Sequence, residues 1–142
     1  MKKVKGFALL TLATGLIIPM TIINRQYVDD KYGNTDGYWQ STAKNIDIWA
    51  NKEFRATWNA RLVMAVEKDG IITYPYKFGV DGETVSSALG KNQLMGTLTE
   101  EGHKLVKILH RLEENHCIKW IDKTLGEWLD PRENTVGVLK FF

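Results

Sequence analysis

A run of seventeen residues without a charged side chain, residues 7–23, constrains this chain more than any other feature. The run reads FALLTLATGLIIPMTII, and as a helix it would be roughly 25 Å long. A bilayer core is about 30 Å thick, so the run lies at the short end of the spanning range, and Gly15 and Pro19 weaken it further. Residues 22–26 offer no small-x-small cleavage site. We therefore expect an uncleaved membrane anchor, with a cleaved signal and an interfacial or buried helix as alternatives.

The charges on either side of this run predict its orientation. Lys2, Lys3 and Lys5 precede it, whereas only Arg25 and Lys31 follow closely. Positive residues are retained on the cytoplasmic side of a membrane. We expect a single-pass protein of the inner membrane, with its N-terminus in the cytoplasm and its C-terminal domain in the periplasm.

The rest of the chain has the composition of one small folded domain. Of the 142 residues, 44% are apolar and 25% are charged, which is typical of globular proteins. Without the three leading lysines, sixteen of the nineteen basic side chains remain against seventeen acidic ones, so we expect no nucleic acid as a partner. The predicted organisation is an anchor at 1–23, a connector at 24–44 that is rich in turn residues, and a soluble domain at 45–142.

Apolar spacing predicts that this domain is mainly α-helical, with an α+β domain as the alternative. Residues 51–68 have the period of a helix that stops at Asp69-Gly70, but residues 61–78 also fit a β-hairpin that turns at the same dipeptide. Residues 81–90 indicate a short helix, with Asp81 as its cap and Gly90 as its end.

Two further apolar stripes predict that the domain ends in an antiparallel helix pair. The first helix is expected at 98–115, where Thr97 and Glu100 have capping-box spacing. The second is expected from residue 118 until Asp130-Pro131 ends it, with residues 135–142 as an edge strand or a packed tail. The stripes are Leu98, Leu105, Ile108, Leu109 and Leu112 in the first helix, and Ile118, Ile121, Leu125 and Leu129 in the second.

The motifs of familiar catalytic sites are missing from the sequence. His116-Cys117 places an imidazole beside a thiol, but neighbouring helical side chains point about 100° apart, so the two groups would not face each other. Free cysteine is among the most buried residue types, and Cys117 is therefore expected to be a core residue. Ser86 and Ser87 lack the G-x-S-x-G of a nucleophile elbow. Phosphate-loop, dinucleotide, EF-hand and H-E-x-x-H patterns are also missing, and we expect neither a metal nor a cofactor.

Four short motifs carry a resemblance. They are D-G-E-T-V-S-S at 81–87, L-G-K-N at 89–92, G-T-L-T at 96–99 and N-H-C-I-K at 115–119. The chain resembles a group of small uncharacterised proteins from tailed phages and prophages of Gram-negative bacteria, whose signature is E-T-[IVL]-S-S and then an amphipathic helix ending in H-C. The resemblance implies a setting and no reaction. It marks seven residues as either a site or the packing that joins two helices: Asp81, Glu83, Thr84, Ser86, Ser87, His116 and Cys117.

The sequence thus favours an accessory protein that is held at the membrane through residues 7–23 and binds another protein. Superinfection exclusion and lysis control are two roles that such a protein fills. The alternative is a small enzyme or metal-binding module that uses Glu83, Ser86, His116 and Cys117.

Overall fold

The computed structural model describes residues 2–32 and 37–133, which form a mainly helical chain with one small sheet. The chain divides into two compact units, Met1–Thr42 and Ala43–Phe142. The elements are α1 (Lys2–Tyr32), α2 (Tyr38–Glu53), α3 (Arg55–Arg61), β1 (Val66–Lys68), β2 (Ile71–Thr73), α4 (Val85–Met95), α5 (Glu100–Leu112) and α6 (His116–Lys119).

The first unit contains α1, and none of the described side chains of that helix is buried. Its segment Lys3–Asp30, 28 residues, is long and apolar enough to cross a membrane, although a signal sequence meets the same criteria. Three threonine hydroxyls donate to carbonyls one turn back, as Thr11 does to Phe7 O at 2.9 Å, so these polar groups are satisfied within the helix. The predicted connector is largely helical, because α1 continues to Tyr32 and α2 begins at Tyr38.

The core of the second unit surrounds α4. Every residue of α4 from Val85 to Asn92 is buried, although half of the side chains of the helix are polar. The apolar core comprises Leu62, Val63, Tyr76, Phe78, Val85, Ala88, Leu89, Leu98 and Cys117.

The helix predicted over 51–68 is wrong beyond Arg61, and the hairpin alternative is correct over its central part. The chain leaves α2 at Glu53, forms α3, and then pairs β1 antiparallel with β2. Asp69 and Gly70 make the turn with φ of +54° and +77°, the left-handed conformation that a two-residue hairpin turn requires. The turn chemistry therefore prevailed over the helical period of the flanking residues.

The caps of α4 and α5 lie three and two residues later than the sequence predicts. Thr84, not Asp81, caps α4 by accepting from Ser87 N at 3.1 Å, and the helix runs through Gly90 to end at Met95, with Gly96 as its C-cap. Thr99, not Thr97, accepts from Gly102 N at 3.1 Å at the start of α5.

The predicted antiparallel helix pair is wrong. Helix α6 ends at Lys119, and residues 120–130 have no helix because their backbone binds α4 instead. Lys91 Nζ donates to Leu125 O at 2.7 Å, and Asp122 N donates to Ser87 Oγ at 2.9 Å. Consequently the second stripe does not form one helical face. The expected strand or tail at 135–142 lies outside the described residues.

Candidate functional site

The N-terminus of α4 is closed by side chains of this chain itself. Asp47 of α2 accepts from Val85 N at 3.0 Å and from Ser86 N at 3.5 Å, and Thr84 accepts from Ser87 N. A carboxylate here balances the partial positive charge of the helix end and satisfies amides that the helix leaves unpaired. Asp47 therefore occupies the place where a helix end would bind an external anion.

Beneath this cap lies an ion pair between Glu83 and Lys91, whose side chains are both fully buried. Lys91 Nζ is 2.5 Å from Glu83 Oε1, which also accepts from Ser87 Oγ at 2.6 Å. The other oxygen, Oε2, accepts from Tyr76 Oη at 2.6 Å. Burial and this bond to Glu83 raise the pKa of Tyr76, so the phenol stays a donor. Neither side chain is accessible to solvent, and both carboxylate oxygens of Glu83 have partners within the chain, so the pair has a structural role.

Two buried asparagines extend the polar network around α4. Asn51 donates from Nδ2 to Glu83 O at 2.9 Å and accepts from Gly79 N at 3.1 Å. Asn92 binds both backbone groups of Tyr76, and its Oδ1 also accepts from Thr97 Oγ1 at 2.7 Å. Within the described residues, every buried side-chain nitrogen and oxygen has a partner, as a stable buried network requires.

A chain of four polar side chains joins α4 to the segment around α6. Ser86 Oγ is 3.1 Å from His116 Nε2 and 3.0 Å from Asp47 Oδ2, while His116 Nδ1 is 2.7 Å from Glu113 Oε2. Hydrogen bonds from Trp120 and His116 lower the pKa of Glu113. The order serine, histidine, carboxylate is that of hydrolases with an activated serine.

The surroundings of Ser86 differ from those of a nucleophile. Its hydroxyl has one proton for two acceptors, and when it donates to Asp47, the bond to His116 requires the proton on Nε2. A histidine in that state cannot take a proton from the serine. Ser86 is also 5% exposed, and the cavity of about 250 Å³ beside the cap is lined by Thr84 without Ser86. The arrangement fixes α6 against α4 and leaves no space for a substrate at Ser86.

Cys117 packs into the same contact and is buried, which confirms the prediction of a core residue. Burial raises the pKa of its thiol to about 11, so the thiolate that nucleophilic chemistry needs is scarce at neutral pH. A Cβ on Gly90 would overlap the Cys117 carbonyl oxygen, so α4 and α6 approach each other closely because residue 90 is glycine.

Of the seven residues marked in the sequence, Ser86, His116 and Cys117 lie at the contact between α4 and α6. Glu83, Thr84 and Ser87 belong to the cap and the buried network at the start of α4, and Asp81 belongs to neither group. It is exposed and binds Lys52 at 2.6 Å, an interaction that lowers its pKa. Among residues 2–32 and 37–133, no three His, Cys, Asp or Glu side chains gather as metal ligands.

Sequence reasoning missed the partners that complete the network: Asp47, Asn51, Lys91, Asn92 and Glu113. Asp47 and Asn51 are one helical turn apart and so share a face, which is a signal that could have been used. Lys91 carries no such signal. Comparison with protein-family models, curated proteins and solved structures finds no match for this chain.

Proposed function

We propose that this chain is a phage or prophage accessory protein, anchored in the inner membrane through α1, whose periplasmic domain binds another protein. The long apolar helix supports attachment to a membrane, and the resemblance of the motifs at 81–87 and 115–119 to those of phage-encoded proteins is the reason for proposing the phage setting. Five of the seven marked residues are buried, and their buried polar side-chain atoms are all paired, which favours binding over catalysis. Superinfection exclusion or lysis control is the proposed role.

The observation that carries the proposal is the apolar stripe of α5. Ile108 is 54% exposed and Leu112 is 82% exposed, although both lie on the same helix face as the partly buried Leu105. An amphipathic helix gains stability by burying such a stripe, and in the described part of the chain nothing covers these two side chains. The stripe is therefore the proposed docking surface.

The charges of α5 define the partner. Glu100 and Glu101 occupy its first turn, whereas His110 and Arg111 occupy its last. A second helix lying antiparallel, with acidic residues near its own start and basic residues near its end, would match this order and align the two helix dipoles favourably. We propose that the partner presents such an amphipathic helix and docks its apolar face on Ile108 and Leu112.

Photo-crosslinking in cells tests this surface directly. The full chain carries a photoreactive residue in place of Leu112 or, as a matched control, in place of Lys107 on the polar face of α5. We expect a crosslink to a different protein from position 112 and none from 107. The Leu112→Glu variant should keep the thermal midpoint of the parent, because residue 112 is exposed. It should lose the proposed activity, measured as exclusion of a second phage or as a change in the time of lysis. Crosslinks to a second copy only, or equal labelling from both positions, would contradict the proposal.

Topology is tested separately. A reporter that is active only in the periplasm, fused after Phe142, should be active, and the chain should remain with membranes through a high-salt wash. Release by salt would show that α1 does not span the bilayer. A shortened soluble form would show that the segment is a cleaved signal.

The second candidate is an enzyme, which the distances between Ser86, His116 and Glu113 favour. A fluorophosphonate probe labels activated serines covalently. We expect no labelling of the full chain, because Ser86 is buried and shares its proton with Asp47. Stoichiometric labelling that disappears in Ser86→Ala would establish the enzyme instead.

A further inference from the structure

A cavity of about 250 Å³ lies between the start of α4 and the segment after α6, and it borders the cap of α4 at Thr84. Its walls include Lys44, Lys119, Lys123, Thr84, Trp120 and Asp122. Three cationic side chains and one carboxylate around so small a volume give it a net positive lining. The volume is below the range of about 300–1,000 Å³ that drug-sized ligands occupy, so it fits a small polar molecule.

The lysines are not equally neutralised. Lys123 pairs with Asp130 and Glu133 at 3.2 and 2.5 Å, whereas Lys119 has one longer ionic contact, 3.7 Å to Glu113 Oε1, and both side chains of that contact are partly exposed to solvent. Among the described residues, Lys44 makes no ion pair within 4 Å, and its charge acts at longer range on Asp122 of the same cavity. Lys44 and Lys119 thus have charge to offer an external anion. Lysine is a common phosphate ligand, acting as a point charge.

The other walls of the cavity point to more than a bare anion. The Asp122 carboxylate accepts hydrogen bonds from the hydroxyl and the backbone N–H of Thr124. These bonds lower the pKa of Asp122, so its side chain is a charged acceptor. A carboxylate repels phosphate but accepts hydrogen bonds from hydroxyl groups. The ring of Trp120 is 41% exposed and offers an apolar face to C–H groups.

We propose that this cavity binds a small phosphorylated polyol. Lys44 and Lys119 neutralise the phosphate, Asp122 accepts from a hydroxyl, and Trp120 packs against the carbon skeleton. The same chemistry occurs in a soluble glycerol or sugar phosphate and in the glycerophosphate headgroup of an anionic lipid. The site is independent of the α5 docking surface, so either proposal can fail alone.

Binding is measured by ³¹P NMR titration of the full chain in a polyoxyethylene detergent, which contains neither phosphate nor sugar. The probes are glycerol 3-phosphate and inorganic phosphate. We expect Lys44→Met and Lys119→Met each to raise the Kd for glycerol 3-phosphate about fivefold, the loss of about one exposed ionic contact. Lys68→Met, in β1 and outside the cavity, is the matched control and should leave the Kd unchanged.

Asp122→Asn separates a polyol site from a phosphate site. The amide oxygen can still accept from Thr124 N, so the local turn is kept. Removing the negative charge should lower the Kd for inorganic phosphate. The Kd for glycerol 3-phosphate should fall less or rise, because the variant loses the charged acceptor for a hydroxyl group. A parallel gain for both probes would overturn the role of Asp122 and the polyol assignment with it.

The two sources are distinguished by lysine labelling in vesicles. Protection of Lys119 from an amine-reactive reagent in phosphatidylglycerol vesicles, but not in phosphatidylcholine vesicles, supports the headgroup when soluble glycerol 3-phosphate does not bind. Saturable binding of soluble glycerol 3-phosphate supports a free ligand. Binding of neither, or an equal effect of Lys68→Met and Lys119→Met, would overturn the proposal.

Discussion

Helices α1 and α4 are built in opposite ways. The long apolar helix α1 has no buried side chain within its described residues, whereas α4, with two serines, a lysine and an asparagine, is buried from Val85 to Asn92. Burial therefore does not follow hydrophobicity in this chain. Helix α1 is long and apolar enough to cross a membrane. A polar helix such as α4 can occupy a core when each buried polar group finds a partner.

This contrast implies that the second unit is especially sensitive to the loss of a single member of the polar network around α4, even though apolar burial is the main favourable term in its folding. Removing one member of a closed network leaves a buried charge unpaired, which costs more than the intact contact contributes. The following predictions test this difference between α4 and the rest of the chain. All use the full chain in detergent and measure the free energy of unfolding of the second unit by urea titration.

Lys91→Met should have the largest effect, a loss of about 3–5 kcal/mol, because it leaves the buried Glu83 carboxylate without its cation. Lys104→Met is the control, since its pair with Glu100 is exposed and should contribute less than about 1 kcal/mol. Adding Glu83→Gln to Lys91→Met should cost less than the sum of the two single changes. A loss equal to that of Lys104→Met would mean that α4 is hydrated.

Replacing a glycine by alanine in α4 and in α1 compares how tightly the two helices are packed. The added Cβ would overlap the Cys117 carbonyl oxygen, so we expect a loss of about 1–3 kcal/mol as α6 is pushed from α4. Gly15→Ala in α1 meets nothing within 4 Å and should leave the unfolding of the second unit unchanged. If the Gly90 variant were equally stable, α4 and α6 would not be in the contact described.

Asp47→Ala should cost about 1–2 kcal/mol, because it uncaps α4 and removes one of the two possible acceptors of the Ser86 hydroxyl. Asp47→Asn keeps an oxygen that can accept from Val85 N and should recover about half of the loss. Recovery of none of it would show that the charge, acting on the helix dipole, matters more than the hydrogen bond.

The smallest effects are expected on α5. Leu109 is partly buried against the core, so Leu109→Ala should cost about 1 kcal/mol. Leu112→Ala and Lys107→Ala should each stay within about 0.5 kcal/mol, because both residues are exposed. A large loss from Leu112→Ala would indicate that the α5 stripe is covered within the protein rather than free for a partner.

Local sequence chemistry determined three features of this fold. The uncharged run predicts a long apolar helix, the period of Leu105, Ile108 and Leu112 predicts α5, and Asp69-Gly70 permits the hairpin turn. Each depends on residues within a few positions of one another. A helical period or a turn conformation is decided by such neighbours, so these features can be inferred without the rest of the chain.

The tertiary structure decided which of these patterns are used and how the marked residues are paired. Lys91 is buried because Glu83, Tyr76 and the Leu125 carbonyl surround it, and the last of these lies 34 residues away in the chain. The helix predicted after residue 118 does not form beyond Lys119, because side chains of α4 bind the backbone at Asp122 and Leu125. A buried polar group is stable only when every partner is in place, and those partners come from distant segments that no local pattern connects.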